Sequence, residues 1–260
     1  MEAVVEKINI LAVSDVHAPR YLPLYIASLN SIMNYNPDLI VLAGDLVDHG
    51  KISYMKHVLE PLTKKFPKTP AIAVFGNEEY IDIEDRIIKN YNQVEWLNDS
   101  TKVIEIKDLM IGIVGSRGVI DKPTPWQRRN IEGITEIYRQ RVLKIKEMLK
   151  DLANGCDVVI LVTHYAPTYV TLRGEPINIY PYLGSRELEK VLREAQIDMA
   201  IHGHAHNSKV VEAPIGCTRV YNVALPARKS ITLIEYHKVI GGAEDKYRNT
   251  SQGLLRFVKK

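Results

Sequence analysis

Five short apolar runs, each followed at once by ionisable or amide side chains, constrain the fold of this chain more than any other feature. In one of them, Leu39-Ile40-Val41-Leu42 leads through Gly44 to the carboxylates of Asp45 and Asp48. The run is uniformly apolar, which is typical of a strand buried on both faces. A carboxylate at the tip of a buried strand is costly unless a positive group lies beside it. The residues that follow the other runs indicate what that group is.

The other four runs have the same design. They are Ile8–Val13 before Asp15 and His17, Ala71–Phe75 before Gly76-Asn77-Glu78-Glu79, Val158–Val162 before Thr163-His164, and Met199–Ile201 before His202-Gly203-His204-Ala205-His206. In an open α/β sheet, ligands bind outside the carboxyl ends of the strands. We therefore expect the five strand ends to form one shared polar site, with Asp45 near its middle.

Length and composition indicate one ordinary globular domain. The 260 residues are 46% hydrophobic and 25% charged, with no internal repeat or linker, so we predict a single domain over residues 1–260. A net charge of +3 is too small to indicate a nucleic-acid or membrane partner. No run is long enough to span a bilayer and no signal-peptide pattern is present. Cys156 and Cys217 show no pairing pattern, so we predict a cytoplasmic protein.

Between the strands, apolar periodicity predicts helices over residues 21–35, 51–65, 80–90, 128–150 and 185–195. The first three runs then form a βαβαβ unit of parallel strands with right-handed crossovers. Further short strands are predicted at 94–96, 103–106 and 110–114. Four more, expected to be antiparallel, are predicted at 209–212, 218–223, 230–236 and 254–258, with a polar loop or hairpin at 241–252. A loop over 165–184 carries four tyrosines, and long loops of this kind often act as lids or binding loops.

The residues at the strand ends are metal ligands by type. Taken singly, each fragment has an equally ordinary interpretation, as a turn residue or a core histidine. Together, oxygen and imidazole ligands without thiolate suit Mn, Fe, Zn, Co or Ni. Seven candidates are too many for one four-coordinate ion but suit two ions that share a carboxylate. They are Asp15, His17, Asp45, Asn77, His164, His204 and His206.

The order of these motifs resembles that of the calcineurin-like metallophosphoesterase superfamily, over about three quarters of the chain. The motifs are Asp-x-His, Gly-Asp-x-x-Asp-His-Gly, Gly-Asn-x-Glu, His and Gly-His-x-His, from Asp15 to His206. The resemblance implies an α/β fold, a four-layer α/β/β/α sandwich of two mixed β-sheets flanked by helices. It also implies that one metal is held by Asp15, His17, Asp45 and His206, and the other by Asp45, Asn77, His164 and His204. Asp48 would take part in catalysis by orienting its neighbours.

The chain departs from the family pattern at Glu78. The family usually has a histidine there, which is taken to help protonate or stabilise the leaving group. One hypothesis is that Glu78 lies near Asp48, where repulsion and partial burial raise its pKa enough for it to act as an acid. The metals would oppose that shift. The alternative is that Glu78 turns to solvent and the leaving group departs unassisted.

An additional carboxylate repels a dianionic monoester more than a singly charged diester. We therefore predict a phosphodiesterase that hydrolyses a small, nucleotide-like ester through a metal-bound hydroxide, with His49, Arg117 and Arg173 as candidate substrate contacts. The loop tyrosines could stack on a base. The alternatives are a phosphomonoesterase, including one acting on phosphoproteins, and a non-catalytic binding scaffold of the same fold. The presence of all seven ligands argues against the scaffold, and the oligomeric state, monomer or homo-oligomer, stays open.

Overall fold

The computed structural model describes residues 4–240. The strand predicted at 254–258 and the polar segment predicted at 241–252 lie outside the described residues. No helix in the described part of the chain is both long and apolar enough to cross a membrane.

Eleven strands and seven helices make up this part of the chain. In order they are β1 (Val4–Val13), α1 (Leu22–Ser31), β2 (Leu39–Ala43), α2 (Met55–Lys65), β3 (Ala71–Val74), α3 (Glu84–Asn90), β4 (Glu95–Leu97), β5 (Ser100–Ile106), β6 (Leu109–Ser116), α4 (Pro125–Asn130), α5 (Ile134–Ala153), β7 (Val158–Thr163), α6 (Arg186–Ala195), β8 (Met199–His202), β9 (Glu212–Ile215), β10 (Thr218–Asn222), α7 (Leu225–Arg228) and β11 (Thr232–Ile240). Four short 3₁₀ turns lie at Ile52–Tyr54, Ile81–Ile83, Val170–Leu172 and Ile177–Tyr182.

The strands form two mixed sheets, as the resemblance implied. The first has the order β11-β1-β2-β3-β4, in which β1 to β4 are parallel and β11 is antiparallel. The second has the order β5-β6-β7-β8-β10-β9, with a parallel centre and antiparallel edges. The expectation of antiparallel C-terminal strands is wrong for β10, which runs parallel to β8. The chain reverses once before β9 and again in the hairpin to β10, so β10 regains the direction of β8.

Successive side chains along a strand point to opposite faces of the sheet, so each sheet packs against a different layer on each face. In β1, Ile10 and Ala12 face the core between the two sheets, whereas Leu11 and Val13 face the core beneath α1 and α2. A third core lies between the second sheet and the helices α5 and α6. The order of layers is therefore helix, sheet, sheet, helix, and the side chains of the inter-sheet core are almost entirely aliphatic.

The predicted helix over 128–150 is two helices in the structure. The first, α4, is capped by Thr124, whose side chain accepts from Gln127 N while Gln127 returns a bond to the Thr124 backbone. The chain then turns at Gly133, whose φ is +66°, before α5 begins. Of the apolar residues expected to pack inward, Ile145 is buried but Ile137 is 40% exposed.

The long loop over 165–184 is less irregular than predicted, because it contains two of the 3₁₀ turns. After it, the side chain of Ser185 accepts hydrogen bonds from Glu187 N and Leu188 N and so forms the N-cap of α6.

The carboxyl ends of the central strands lie at one edge of the sandwich. Within each sheet the ends are level, as in the pairing of Ala43 with Val74 and of Thr163 with His202. The two sheets meet there, since His164 Nδ1 donates to the carbonyl oxygen of Ala43 at 3.0 Å. The loops that follow β1, β2, β3, β7 and β8 therefore share one region of the surface.

Candidate metal centre

The backbone at these strand ends is unusually constrained. Asp15, His17, Asp45, His49 and His204 all have φ between +41° and +68°. Non-glycine residues rarely adopt this left-handed region, and each instance costs free energy that the surrounding structure must supply. The clustering of five such residues in one region indicates that the fold holds their side chains in fixed directions.

Close packing of two turns explains the glycines before Asp45 and Asn77. Gly44 has a φ of +84°, and a Cβ atom there would overlap the backbone of Gly76. A Cβ atom on Gly76 would overlap both the backbone nitrogen and the carboxylate of Asp45. The β2 and β3 turns can therefore bring Asp45 and Asn77 together only because neither glycine has a side chain.

The first group of ligands consists of Asp15, His17 and His206. Asp15 Oδ1 lies 2.9 Å from His206 Nε2 and 3.7 Å from His17 Nε2, and the two imidazole nitrogens are 3.4 Å apart. The other oxygen, Oδ2, accepts from Ser14 Oγ at 2.5 Å and from His204 N at 2.9 Å. Protein donors thus anchor one carboxylate oxygen of Asp15 and leave the other facing the imidazoles.

The second group consists of Asp45, Asn77, His164 and His204. Because His164 Nδ1 donates to the Ala43 carbonyl, its Nε2 points toward Asn77 Oδ1 at 3.1 Å and Asp45 Oδ2 at 3.3 Å. The ring of His204 lies against that of His164, with centroids 4.9 Å apart. Asp45, His164 and His204 each offer a ligand atom within one compact cluster.

Asp45 belongs to both groups. Its Oδ1 accepts from Glu78 N at 2.8 Å, which fixes the carboxylate. Its Oδ2 lies 3.3 Å from His164 Nε2 and 3.7 Å from His17 Nε2, one imidazole from each group. A single oxygen atom therefore faces the ligands of both predicted metal sites, as a bridging carboxylate requires.

The donor set and its spacing fit divalent cations. Bonds of 2.0–2.2 Å to nitrogen and oxygen place neighbouring ligand atoms roughly 3.0–3.6 Å apart. The separations within the two groups run from 2.9 to 3.7 Å. His17 Nδ1 is buried without a hydrogen-bond partner, with Asp48 Oδ1 3.7 Å away. A proton on Nδ1 directed at that carboxylate would leave Nε2 free as a metal ligand.

The charges of the two groups favour cation binding. Burial works to raise the pKa of Asp15 and Asp45, but the neighbouring histidines outweigh it and hold both carboxyls below their usual range. Burial works to lower the pKa of His164, but Asp45 raises it to about 9. Burial lowers the pKa of His204 to about 3. The metal-free site therefore holds two carboxylates against a protonated His164, and a bound cation would displace that proton.

Glu79 is the residue that sequence reasoning missed. Its carboxylate is fully buried and accepts four backbone N–H groups, those of Asp45, Leu46, Val47 and Gly76, at 2.7 to 3.2 Å. Burial and the nearby Asp45 raise the pKa of Glu79 to about 6. Glu79 clamps the Asp45 turn onto the Gly76 turn. The acidic position of the Gly-Asn-x-Glu motif was its only signal, and the sequence does not show that this carboxylate points inward.

Asp48 lies beside the first group. Its Oδ1 is 3.4 Å from Arg20 and its Oδ2 is 3.0 Å from His49 Nδ1 and 3.4 Å from Lys51. Burial works to raise the pKa of Asp48, but the bonds to His49 and Lys51 prevail and lower it. Because basic groups surround this carboxylate, we do not count it among the metal ligands.

Glu78 is folded back onto the same loop. Its side chain is 20% exposed, and Oε2 accepts from His49 N at 2.6 Å and lies 3.5 Å from His49 Nδ1. Oε1 accepts from Asn77 Nδ2 at 3.3 Å. Glu78 thus lies near Asp48, as one hypothesis required, and does not project into solvent. Its role as an acid stays a prediction.

The two predicted arginine contacts occupy different places. Arg117 is only 13% exposed and donates to the carbonyls of Gly76 at 2.5 Å and Glu79 at 3.1 Å, besides pairing with Glu84. Protein groups therefore engage its guanidinium, and a substrate contact by Arg117 stays a prediction. Arg173 is exposed and lines a cavity of about 580 Å³ beside the long loop.

The loop tyrosines separate into two kinds. Tyr165 is 2% exposed and packs on His204, with ring centroids 4.9 Å apart, so it positions a ligand and is not accessible to a base. Tyr169 and Tyr180 lie edge to face with centroids 5.6 Å apart and line the same cavity as Arg173. Of the four loop tyrosines, only Tyr169 and Tyr180 line this cavity.

Comparison with known proteins agrees with this geometry. The sequence profile of the family described as calcineurin-like phosphoesterase matches residues 8–208, a span that contains all seven predicted ligands. No curated protein sequence matches this chain.

Three solved structures share the fold. Phosphopantetheinyl hydrolase (PptH) from Mycobacterium tuberculosis matches with a TM-score of 0.58 and 14% identity over 94% of both chains. A putative 5′-nucleotidase from Staphylococcus aureus matches with a TM-score of 0.59 and 15% identity over 89% of this chain, which spans only 51% of the nucleotidase. GAP50, the anchor in the inner membrane complex of Plasmodium, matches with a TM-score of 0.61 and 13% identity over 90% of this chain and 82% of its own. At these identities the likeness shows the fold alone.

Proposed function

Because the chain belongs to the calcineurin-like phosphoesterase family of metal-dependent hydrolases, we propose that it hydrolyses a small phosphodiester with two divalent cations bound. The observation that carries this proposal is the position of Asp45 Oδ2 between His17 of one ligand group and His164 of the other. Cations held there supply Lewis acidity at a phosphoryl oxygen and lower the pKa of water. The chain itself supplies the fixed ligands, with Glu79 and Asp48 orienting them.

Charge at the rim of the site supports a diester. Arg20 and Lys51 pair with Asp48 at the edge of the first ligand group, whereas the Glu78 carboxylate beside it is paired with His49 among the described residues. A dianionic monoester meets more repulsion from the Glu78 carboxylate than a monoanionic diester does. The same rim would therefore select the diester by charge.

The cavity beside the long loop supports a nucleotide-like substituent. Tyr169 and Tyr180 offer aromatic faces and edges, and Arg173 and Arg186 offer cationic groups. The segment carrying Arg173 is tied to the metal-ligand loop, because Lys209 N donates to Arg173 O at 2.7 Å, three residues after His206. A diester has a second substituent that could occupy this cavity in addition to its leaving group, whereas a monoester has only the leaving group.

Two alternatives remain to be distinguished. A phosphomonoesterase, including a phosphoprotein phosphatase, would use the same ligands. The presence of all seven ligands is the one observation that supports it. A non-catalytic scaffold of the same fold is the second, and the likeness to GAP50 gives it a precedent in shape only. The scaffold does not require bound metal, so metal content and hydrolysis together distinguish it.

A two-substrate assay tests the proposal. The purified protein is loaded in turn with Mn²⁺, Co²⁺, Ni²⁺, Zn²⁺ and Mg²⁺ and assayed with bis(p-nitrophenyl) phosphate and p-nitrophenyl phosphate. We expect a higher kcat/KM for the diester, and no turnover with Asp45→Asn. A strong preference for the monoester would replace the diesterase with the phosphatase. Two metals per chain without hydrolysis of either ester would favour the scaffold.

Manganese as one of the metals, a cytoplasmic location and a single domain over residues 1–260 complete the proposal. The oxygen ligands Asp15, Asp45 and Asn77 suit Mn²⁺, while the four imidazoles also suit Fe, Zn, Co or Ni. The cytoplasmic location is proposed because Cys156 and Cys217 show no pairing pattern in the sequence. The metal-loading series and fractionation of the native cells test the first two.

A further inference from the structure

His49 occupies a distinctive place at the rim of the metal centre. Its side chain is 62% exposed, yet its ring is held between two carboxylates, with Nδ1 3.0 Å from Asp48 Oδ2 and 3.5 Å from Glu78 Oε2. Its backbone has a φ of +50°, and its N–H donates to Glu78 Oε2 at 2.6 Å. A constrained backbone that presents an accessible imidazole is a common arrangement at functional sites.

Asp48 connects His49 to the reacting centre. One oxygen of its carboxylate lies 3.0 Å from His49 Nδ1 and the other lies 3.7 Å from Nδ1 of the ligand His17. Both Asp48 and Glu78 contact His49 through Nδ1, so the ring geometry turns Nε2 away from them. His49 Nδ1 is therefore separated from the ligand His17 by one carboxylate, and Nε2 is free of both carboxylates.

The neighbouring groups are poor candidates for the acid. Asp48 is surrounded by Arg20, Lys51 and His49, and its lowered pKa keeps it ionised. Glu78 accepts N–H bonds from His49 and Asn77, so protein donors already engage both of its carboxylate oxygens. The His49 ring faces the two carboxylates through Nδ1, which leaves Nε2 as the ring atom free to donate a proton.

We propose that His49 is the catalytic residue that protonates the leaving group, and that Asp48 and Glu78 are positioning residues for its ring. The step rests on the proposed hydrolytic function. The oxygen of water forms a new bond to phosphorus and releases a proton, while the ester P–O bond breaks. The departing oxygen takes the proton from Nε2, so the products are an alcohol and a phosphate ester or phosphate. Solvent then reprotonates the imidazole.

Leaving groups of different basicity test this assignment. A p-nitrophenolate departs readily without a proton, whereas a phenolate depends on one. In His49→Gln loaded with Mn²⁺, we expect kcat for ethyl phenyl phosphate to fall about 10²–10⁴-fold and kcat for ethyl p-nitrophenyl phosphate to fall less than about 10-fold. Free imidazole should partly restore His49→Ala on the phenyl ester. His57→Gln, an exposed histidine on α2, is the matched control and should leave both rates unchanged.

Metal content and thermal stability are measured on the same variants as the kinetics. His49→Gln should retain the metal content and the thermal unfolding midpoint of the unsubstituted protein, because neither the ligands nor the core is altered. Glu78→Gln should reduce kcat for the phenyl ester by a smaller factor than His49→Gln does, because Glu78 only positions the ring, and should change kcat for the p-nitrophenyl ester little. An equal loss on both esters in His49→Gln, or a leaving-group-dependent loss in Glu78→Gln alone, would overturn the proposal.

The outcome also separates this proposal from the diesterase. If the unsubstituted protein cleaves only monoesters, the diester assignment fails and phenyl phosphate is compared with p-nitrophenyl phosphate in the same variants. A leaving-group-dependent loss in His49→Gln then still supports His49 as the acid. If the metal-loaded protein cleaves neither class, both proposals fail.

Discussion

His164 Nε2 lies 3.3 Å from Asp45 Oδ2, and both side chains are completely buried. Burial works against the charge on the imidazole, but Asp45 raises the pKa of His164 from 6.5 to about 9. A pKa that is higher in the folded than in the unfolded chain stabilises the fold fully below the unfolded value. That contribution is lost as the pH rises from 6.5 through 9. In the metal-free protein, the pair therefore acts as a pH-sensitive cross-link between the sheets.

We expect the free energy of unfolding of the metal-free protein to decrease between pH 6.5 and 9. Urea unfolding at a series of pH values, in the presence of a chelator, measures this slope. His164→Gln should flatten it, because Gln cannot titrate. A bound cation takes the place of the proton, so metal titration at pH 7 in two buffers of different ionisation enthalpy should show proton release. A metal-free protein whose stability is constant over this range would contradict the pairing.

Asp45→Asn should affect both metals, because Asp45 Oδ2 faces both ligand groups. We expect less than one metal per chain after dialysis and a loss of activity of at least about 100-fold. Asp15→Asn should remove only the first metal, since its carboxylate faces the imidazole nitrogens of His17 and His206, whereas His204 contacts it through the backbone N–H. Asp151→Asn, on the exposed side of α5, is the matched control and should keep both. Elemental analysis measures the metal content, and equal losses in the Asp15 and Asp45 variants would argue against a shared oxygen.

Glu79→Ala should be strongly destabilising. The substitution leaves four buried N–H groups without their acceptor, and each such group costs about 1–3 kcal/mol. We expect a loss of at least about 3 kcal/mol in the free energy of unfolding, measured by urea titration. Glu78→Ala, one residue away, removes an acceptor at a partly exposed loop and should cost about 1 kcal/mol or less. Comparable losses in the two variants would show that the clamp on the Asp45 turn is not needed for stability.

The adjacent glutamates also show what the sequence can and cannot predict. Both follow Asn77, and the sequence contains nothing that distinguishes an inward from an outward carboxylate. In the structure, the turn directs Glu79 to the backbone of Asp45 and Glu78 to the backbone of His49. Side-chain direction there depends on left-handed residues such as Asp45 and His49, which have no pattern of their own in a sequence.

The strand ends, in contrast, could be predicted, because burial of a strand leaves a clear pattern in the sequence. Runs such as Leu39–Ala43 and Val158–Thr163 are buried at every position, and uniform burial requires uniform apolarity. The polar residue that ends such a run therefore marks the edge of the sheet. The two-sheet arrangement did not follow from these runs and came only from the resemblance. Strand direction was missed for β10 because a hairpin does not specify which of its strands joins the sheet.

Arg117 gives the last prediction, because the structure and the sequence point to different roles. Arg117 follows β6 in the second sheet and donates to the carbonyls of Gly76 and Glu79 in the turn after β3 of the first sheet, and it pairs with Glu84. It therefore holds the turn that carries Asn77. Arg117→Met should weaken Mn²⁺ binding about 10–100-fold, as expected for a residue that supports a ligand through its neighbours.

The two roles differ in which constant changes. If Arg117 supports the ligand turn, KM measured at saturating Mn²⁺ should stay near that of the unsubstituted protein, and Glu84→Gln should weaken metal binding in the same direction. If Arg117 instead contacts the phosphate, KM should rise while the affinity for Mn²⁺ is unchanged, and Glu84→Gln should have little effect. Arg128→Met, on the exposed side of α4, provides the control for loss of one positive charge. Mn²⁺ titration and steady-state kinetics on the same preparations distinguish the two roles. A contact that orients the ligand turn changes the affinity for Mn²⁺, whereas a contact with the phosphate changes KM.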